Sequence, residues 1–169
     1  MAEGRKPDAM PLLAPGGHLV SLSEIHTRFV QGVRNEVHRE KLFLGLEELV
    51  QRLLLAEIPC EFWVDGSFLT EKEFPDDIDI FILVDSDVND SLDEEKTRLL
   101  LDINTGYSPI GMDAQVYTIY NRGHSHFGTS ADVGREWASG YGIENSEKWL
   151  KGYAILRLRE TDVGLRIRS

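Results

Sequence analysis

Cysteine is nearly absent from this sequence, since Cys60 is the only one among 169 residues and no disulfide can form within the chain. A free cysteine without a disulfide framework is typical of a reducing compartment. The sequence also lacks an apolar run of the roughly 18 residues that a membrane span requires. Charges, prolines and glycines interrupt its first twenty residues, where a signal segment would stand. We therefore expect a cytoplasmic protein with no membrane partner.

Positive charge is scarce as well. Eighteen Lys and Arg residues against 29 Asp and Glu residues give a net charge of −11. Because phosphate contacts require clustered basic side chains, we expect no long nucleic acid as a partner. The exception is a basic C-terminal stretch that contains Lys151, Arg157, Arg159, Arg166 and Arg168. Its arginines have two open interpretations, the solvent face of an edge hairpin or a surface for an acidic partner or RNA.

Hydrophobic periodicity predicts helices and strands in alternation. Helices are expected at about 21–33, 35–57, 91–102 and 132–139, and strands at 60–65, 78–84, 113–120, 154–158 and 163–167, the last two as a hairpin. The nearly continuous apolar strand 78–84 is expected at the centre of the sheet, covered on both faces. Residues 1–20 lack periodicity and predict a disordered arm, followed by one domain over 21–169. This order predicts an α/β (α+β) fold, a small mixed β-sheet flanked by helices.

A pair of carboxylates opens the second predicted strand. Asp77 and Asp79 are spaced i, i+2, which on a strand puts both side chains on one face, about 7 Å apart. Carboxylates this close repel each other unless a cation lies between them or one takes up a proton. Mg²⁺ prefers such oxygen ligands together with substrate phosphates. The pair therefore indicates metal-assisted phosphate chemistry.

The spacing of these aspartates from an earlier glycine and serine carries a family resemblance. Gly66-Ser67 follows the first strand, the nine residues 68–76 intervene, Asp77-Ile78-Asp79-Ile80 follows, and Asp113 opens the third strand. This pattern resembles the nucleotidyltransferase superfamily typified by DNA polymerase beta, and in overall style the small stand-alone nucleotidyltransferase-like proteins of bacteria and phages. The match covers mainly residues 60–120.

The resemblance implies a role for each of these residues. Gly66 would let the backbone approach a nucleoside triphosphate, and Ser67 would bind a phosphate oxygen. Asp77 and Asp79 would hold the Mg²⁺ or Mn²⁺ ion that bridges the triphosphate, and Asp113 would join them around a second ion. The implied reaction transfers a nucleoside monophosphate from an NTP to a hydroxyl group and releases pyrophosphate.

Three neighbouring features have two readings each. Lys72 either reaches the triphosphate or is a solvated surface lysine. Asp65 departs from the family pattern, which usually has a hydrophobic residue there, and either faces outward or joins the metal shell. His124-Ser125-His126 is either a polar loop or a metal chelate, although no nearby ligand completes a tetrahedral site.

The expected function is a metal-dependent nucleotidyltransferase acting on a protein, small-molecule or RNA hydroxyl, and the acidity of the chain favours the first two acceptors. Two alternatives remain. One is a binding module like the antitoxin half of a toxin–antitoxin pair, which would act on a protein partner. The other is a catalytically degenerate domain that binds nucleotide without turnover.

Overall fold

The computed structural model describes residues 9–134 and 151–158. Its elements follow in the order β1, α1, α2, β2, β3, α3, α4, β4, β5 and form one five-stranded mixed sheet of order β1-β5-β2-β3-β4. The strands are β1 (Gly16–Leu19), β2 (Glu61–Asp65), β3 (Ile78–Asp85), β4 (Met112–Ile119) and β5 (Gly152–Arg157). The helices are α1 (Leu22–Phe29), α2 (Glu36–Leu55), α3 (Ser86–Ser91) and α4 (Glu94–Asn104). The expected α/β class with a small mixed sheet flanked by helices is confirmed.

Local sequence signals set the starts of two helices. Ser21 caps α1 with a capping box, in which its hydroxyl accepts a hydrogen bond from the Glu24 amide and the Glu24 carboxylate accepts one from the Ser21 amide. Asp93 caps α4 by accepting a hydrogen bond from the Lys96 amide. None of the helices in residues 9–134 and 151–158 is long and apolar enough to cross a bilayer.

The two faces of the sheet differ because side chains alternate along each strand. On β3, Ile78, Ile80, Ile82 and Val84 are fully buried, whereas Asp79 on the opposite face is half-buried. The buried face packs with the helices in one hydrophobic core, to which α2 contributes Leu42, Leu46, Leu49 and Leu53. Polar side chains on the other face therefore meet water at its margin without interrupting the core.

The position of β5 shows that the predicted placement of this segment in a hairpin at the sheet edge is wrong. The strand lies inside the sheet, parallel to β1 and antiparallel to β2, because its alternating residues fill the gap between those strands. Arg157 pairs across the sheet with Glu61, its Nε 2.7 Å from Glu61 Oε1. The predicted strand 163–167 lies outside the described residues, as do Arg159, Arg166, Arg168 and most of the helix expected at 132–139.

Two shorter elements also differ from expectation. The arm predicted over residues 1–20 contains β1, whose backbone pairs with β5, and Leu13 before it is buried. The helix expected at 91–102 is preceded by a separate short helix, α3, which the fully buried Ser86 begins. In both places main-chain pairing or burial with distant residues overrides weak local signals.

Candidate functional site

Three aspartates stand in one row across β2, β3 and β4, at the end of β2 and the starts of β3 and β4. Asp65 on β2 pairs in register with Asp79 on β3, and Asp79 pairs in register with Asp113 on β4. Neighbouring strands are about 4.8 Å apart, and in-register residues point to the same face. That face is opposite the one that carries Ile80 and the hydrophobic core. We call Asp65, Asp79 and Asp113 the acidic row; it passes from buried Asp65 through half-buried Asp79 to exposed Asp113.

The acidic row perturbs its central member. Desolvation by burial, followed by the charges of Asp77, Asp113 and Asp65 in that order, raises the pKa of Asp79 from its ordinary value of 3.8 to about 6. The ammonium group of Lys151 acts in the opposite direction. The structure thus brings Asp77, Asp79 and Asp113 into one electrostatic unit. At neutral pH this unit holds like charges whose repulsion a bound cation would relieve.

A buried ion pair closes one end of the row. Lys151 Nζ lies 3.1 Å from Asp65 Oδ1, and both side chains are only 12% exposed. This oxygen accepts no hydrogen bond of regular geometry from the described residues, so the contact is an ion pair alone. Lys151 precedes β5, which pairs with β2, and this pairing accounts for their meeting across 86 positions of sequence.

The turn after β2 touches the acidic row directly. Gly66 has a φ of +86°, a region that favours glycine, and a Cβ atom there would overlap the Oδ2 atom of Asp79. Ser67 begins a short 3₁₀ helix that ends at Leu69, and its carbonyl accepts hydrogen bonds from the amide and hydroxyl of Thr70 at 3.2 and 2.8 Å. The half-buried Ser67 hydroxyl makes no hydrogen bond within residues 9–134 and 151–158, which leaves it open to a ligand.

A buried arginine holds this turn. Arg39 on α2 donates four hydrogen bonds to main-chain carbonyls: Nη1 to Phe29 and Phe68 at 3.0 and 2.7 Å, and Nη2 to Thr70 and Lys72, both at 2.7 Å. The guanidinium is fully buried, and desolvation lowers its pKa. No carboxylate pairs with it in the described part of the chain. Its donors therefore fix the backbone that follows the glycine–serine turn to the core helix.

Lys72 and the two histidines are held by other partners. Lys72 Nζ lies 2.8 Å from Asp76 Oδ2, an i, i+4 pair in which the aspartate is 61% exposed. His124 Nδ1 accepts a hydrogen bond from the His126 amide at 3.1 Å, and its Nε2 lies 3.1 Å from the Asp90 carboxylate. These bonds order a polar loop, the first of the two readings. The role of Lys72 toward phosphate stays a prediction.

The three aspartates have the chemistry of metal ligands, but they are not grouped as a metal site within the described residues. Asp77, Asp79 and Asp113 offer the carboxylate oxygens that Mg²⁺ takes, and burial, followed by the charges of Asp77 and Asp113, raises the pKa of Asp79. However, no three His, Cys, Asp or Glu side chains in the described ranges are grouped to hold a metal ion. Mg²⁺ is commonly held by one or two carboxylates together with substrate phosphates, so such a grouping is not required in the nucleotide-free chain.

Comparison with protein families matches residues 6–159 to the DUF6932 family, described as a family of unknown function. The chain belongs to this family. No curated protein matches it. No solved structure matches it either. The resemblance to the nucleotidyltransferase superfamily therefore stays a prediction for this DUF6932 chain.

Sequence reasoning missed two residues of this DUF6932 site and left a third undecided. Lys151 was counted only among the basic residues near the C-terminus, and Arg39 lay on a helix where a charged residue is ordinarily solvated. Asp65 had been left between facing outward and joining the metal shell, and the structure buries it within the acidic row. Its only signal in the sequence was its place at the end of an apolar strand, where the family pattern has a hydrophobic residue.

A cavity lies on another side of this chain. It has a volume of about 360 Å³ and is lined by Leu12, Gly32, Val33, Arg34 and Glu71. None of these residues belongs to the acidic row or its turn. The candidate site is thus an open sheet margin that a ligand approaches from solvent, separate in its lining from this cavity.

Proposed function

We propose that this protein is a metal-dependent nucleotidyltransferase that moves a nucleoside monophosphate from an NTP to a hydroxyl group of a protein, a small molecule or RNA. The observation that carries the proposal is the register of the acidic row beside the turn, with Gly66 against the carboxylate of Asp79. Phosphate chemistry needs a place where a polyphosphate and carboxylate-bound cations meet, and this margin supplies both kinds of contact.

Each residue has a task in this reaction. Gly66, without a side chain, admits the triphosphate close to Asp79, and the Ser67 hydroxyl, which makes no hydrogen bond to the described residues, donates to a phosphate oxygen. Asp77, Asp79 and Asp113 would hold Mg²⁺ or Mn²⁺, which when bound neutralises the triphosphate and orients it for in-line displacement. Arg39 acts through the turn by keeping its main chain in place.

The bond changes follow from the substrate. The acceptor oxygen bonds to the α-phosphorus, the bond from that phosphorus to the oxygen bridging the β-phosphate breaks, and pyrophosphate leaves. The acceptor hydroxyl gives up its proton in the same process. Asp113, the exposed member of the row, is the carboxylate best placed on the solvent side to receive it.

Label transfer tests this proposal. The purified chain is incubated with Mg²⁺, cell extract and NTPs labelled at the α-phosphate, and in parallel with NTPs labelled at the γ-phosphate. We expect acid-stable product label from the α-position only, lost in Asp77→Ala/Asp79→Ala and retained in the exposed control Asp102→Ala. Equal label from both variants, or label from the γ-position, would refute nucleotidyl transfer.

One observation favours a second candidate. Because the described carboxylates are not grouped as metal ligands, the domain could bind nucleotide without turnover. Calorimetry with Mg²⁺–NTP that shows tight binding, together with an absence of pyrophosphate release, would support that degenerate form over the enzyme. The antitoxin-like binding module stays a prediction, which co-purification of a partner independent of Asp77, Asp79 and Asp113 would support.

A further inference from the structure

We propose that Lys151 is the polyphosphate-binding cation of this site, held by Asp65 in the nucleotide-free chain and contacting the phosphate oxygens of a bound nucleoside triphosphate. This inference rests on the proposed function and adds to it the residue that recognises the phosphate chain. It concerns a lysine distant in sequence from the glycine–serine turn and differs from the sequence-based candidate, Lys72.

The position of Lys151 follows from the strand register. β5 runs antiparallel to β2 with Ala154 opposite Val64, so the residues before β5 approach the residues after β2. Continued for three more positions, this register brings Lys151 to the level of Ser67. The measured contact of 3.1 Å between Lys151 Nζ and Asp65 Oδ1 agrees with this placement. The ammonium group therefore lies where the turn would receive phosphates.

The binding capacity of the ammonium is only partly used. It has three N–H donors, yet Lys151 makes no hydrogen bond within the described ranges, and its contact with Asp65 is an ion pair. Asp65 Oδ1 in turn is buried without a hydrogen bond. A buried ion pair without further hydrogen bonds adds little to stability, because only the mutual attraction of the two charges offsets the free energy of desolvating them. A phosphate group offers additional charge and acceptor oxygens to the same ammonium.

The electrostatic setting favours Lys151 over Lys72. Lys151 contacts Asp65, a member of the acidic row, and both side chains are only 12% exposed. Lys72 is paired with the exposed Asp76 through a regular hydrogen bond of 2.8 Å. Binding of a triphosphate by Lys72 would have to break that bond, whereas Lys151 can contact phosphate and keep its ion pair with Asp65.

The ion pair with Lys151 also gives Asp65 a role in the proposed phosphate binding. A lysine without a partner in a half-buried site would be free to adopt several rotamers. The Asp65 carboxylate holds the ammonium group of Lys151 at the row before substrate arrives. It is a positioning residue that acts through Lys151, and its replacement by asparagine should weaken phosphate binding less than loss of the lysine does.

Calorimetric titration of the full chain with Mg²⁺–tripolyphosphate and with each of the four Mg²⁺–NTPs tests the proposal. Tripolyphosphate isolates the phosphate contacts from those of the base. Loss of one charged hydrogen-bonding partner should weaken binding of both ligands about tenfold to a hundredfold in Lys151→Met. The exposed control Lys41→Met should change affinity by less than about twofold, and Lys151→Arg should recover part of the binding.

A folding control keeps the result clear. Lys151→Met leaves Asp65 buried and unpaired and is therefore expected to lower stability, so Asp65→Asn/Lys151→Met removes both charges and should restore folding but not affinity. If the wild type binds these ligands, and Lys151→Met and Asp65→Asn/Lys151→Met bind them with the same affinity, the inference is overturned and the enzyme proposal stands. A tenfold loss in Lys72→Met alone would overturn it in favour of Lys72. A wild-type chain that neither binds NTP nor transfers label would instead refute the proposed function, and this inference with it.

Discussion

Replacing Asp79 by asparagine should stabilise the protein at neutral pH. Folding raises the pKa of this carboxyl group from 3.8 to about 6, chiefly because burial disfavours the charged form and secondarily because of Asp77 and the rest of the acidic row. The folded state therefore binds the Asp79 proton more tightly than the unfolded state does. Stability from this group is present below pH 3.8 and is lost as the pH rises through about 6.

The size of the loss follows from the shift. The rise in the pKa of Asp79 from 3.8 to about 6 lowers the free energy of unfolding by about 3 kcal/mol at pH 7.5 and by about 1 kcal/mol at pH 4.5. Asp79→Asn removes the charge with little change in shape, so it should gain up to these amounts over wild type. For a chain of this length, about 3 kcal/mol corresponds to a rise in Tm of roughly 6–12 °C.

Urea unfolding at several pH values measures the difference. Asp79→Asn should be more stable than wild type by an amount that grows from pH 4.5 to pH 7.5. The control Asp102→Asn, at an exposed position on α4, should stay within about 0.5 kcal/mol at all pH values. A destabilised Asp79→Asn, or a stability difference that does not vary with pH, would refute the reasoning that burial and neighbouring charges raise the pKa of Asp79.

Three further predictions concern the turn and its support. Gly66→Ala should destabilise the protein by about 1–3 kcal/mol and abolish nucleotide binding, because a Cβ atom would overlap the Asp79 carboxylate. The control Gly106→Ala has a similar φ of +93° but open space around the Cβ position, so it should introduce backbone strain and keep nucleotide binding. Urea unfolding and calorimetry measure the two effects. Arg39→Met should lower the free energy of unfolding by about 3 kcal/mol or more, because four main-chain carbonyls lose their hydrogen-bond donor. Amide hydrogen exchange of residues 68–72 should become faster. Unchanged exchange there would contradict the role of Arg39 in holding the turn. Ser21→Ala should cost about 1 kcal/mol through loss of the α1 capping box, measured by thermal unfolding, and should leave nucleotide binding intact, so a loss of binding would count against the boundaries of the site.

Local pattern predicted much of the fold because each signal acts over a few residues. The helices expected at about 21–33 and 35–57 correspond to α1 and α2, and the apolar run 78–84 corresponds to β3. Predictions failed where pairing partners lie far apart. The strand β5 looks like half of a local hairpin in sequence, yet its neighbours are β1 and β2.

The candidate site divides in the same way. The spacing of Gly66 and Asp79 could be read directly, since turn and strand geometry link them. The alignment of Asp65 with Asp79 depends on an antiparallel register that no local signal specifies. The burial of Arg39 likewise depends on carbonyls contributed by two separate segments, the end of α1 and residues 68–72.

Anomalous diffraction from Mn²⁺ in crystals grown with a non-hydrolysable NTP tests the candidate site most directly. We predict a manganese peak contacted by Asp77 and Asp79, with the triphosphate along the Gly66–Ser67 turn and Asp113 within reach of the α-phosphate. A nucleotide bound elsewhere, or manganese that these aspartates do not contact, would contradict a nucleotidyltransferase site on this sheet.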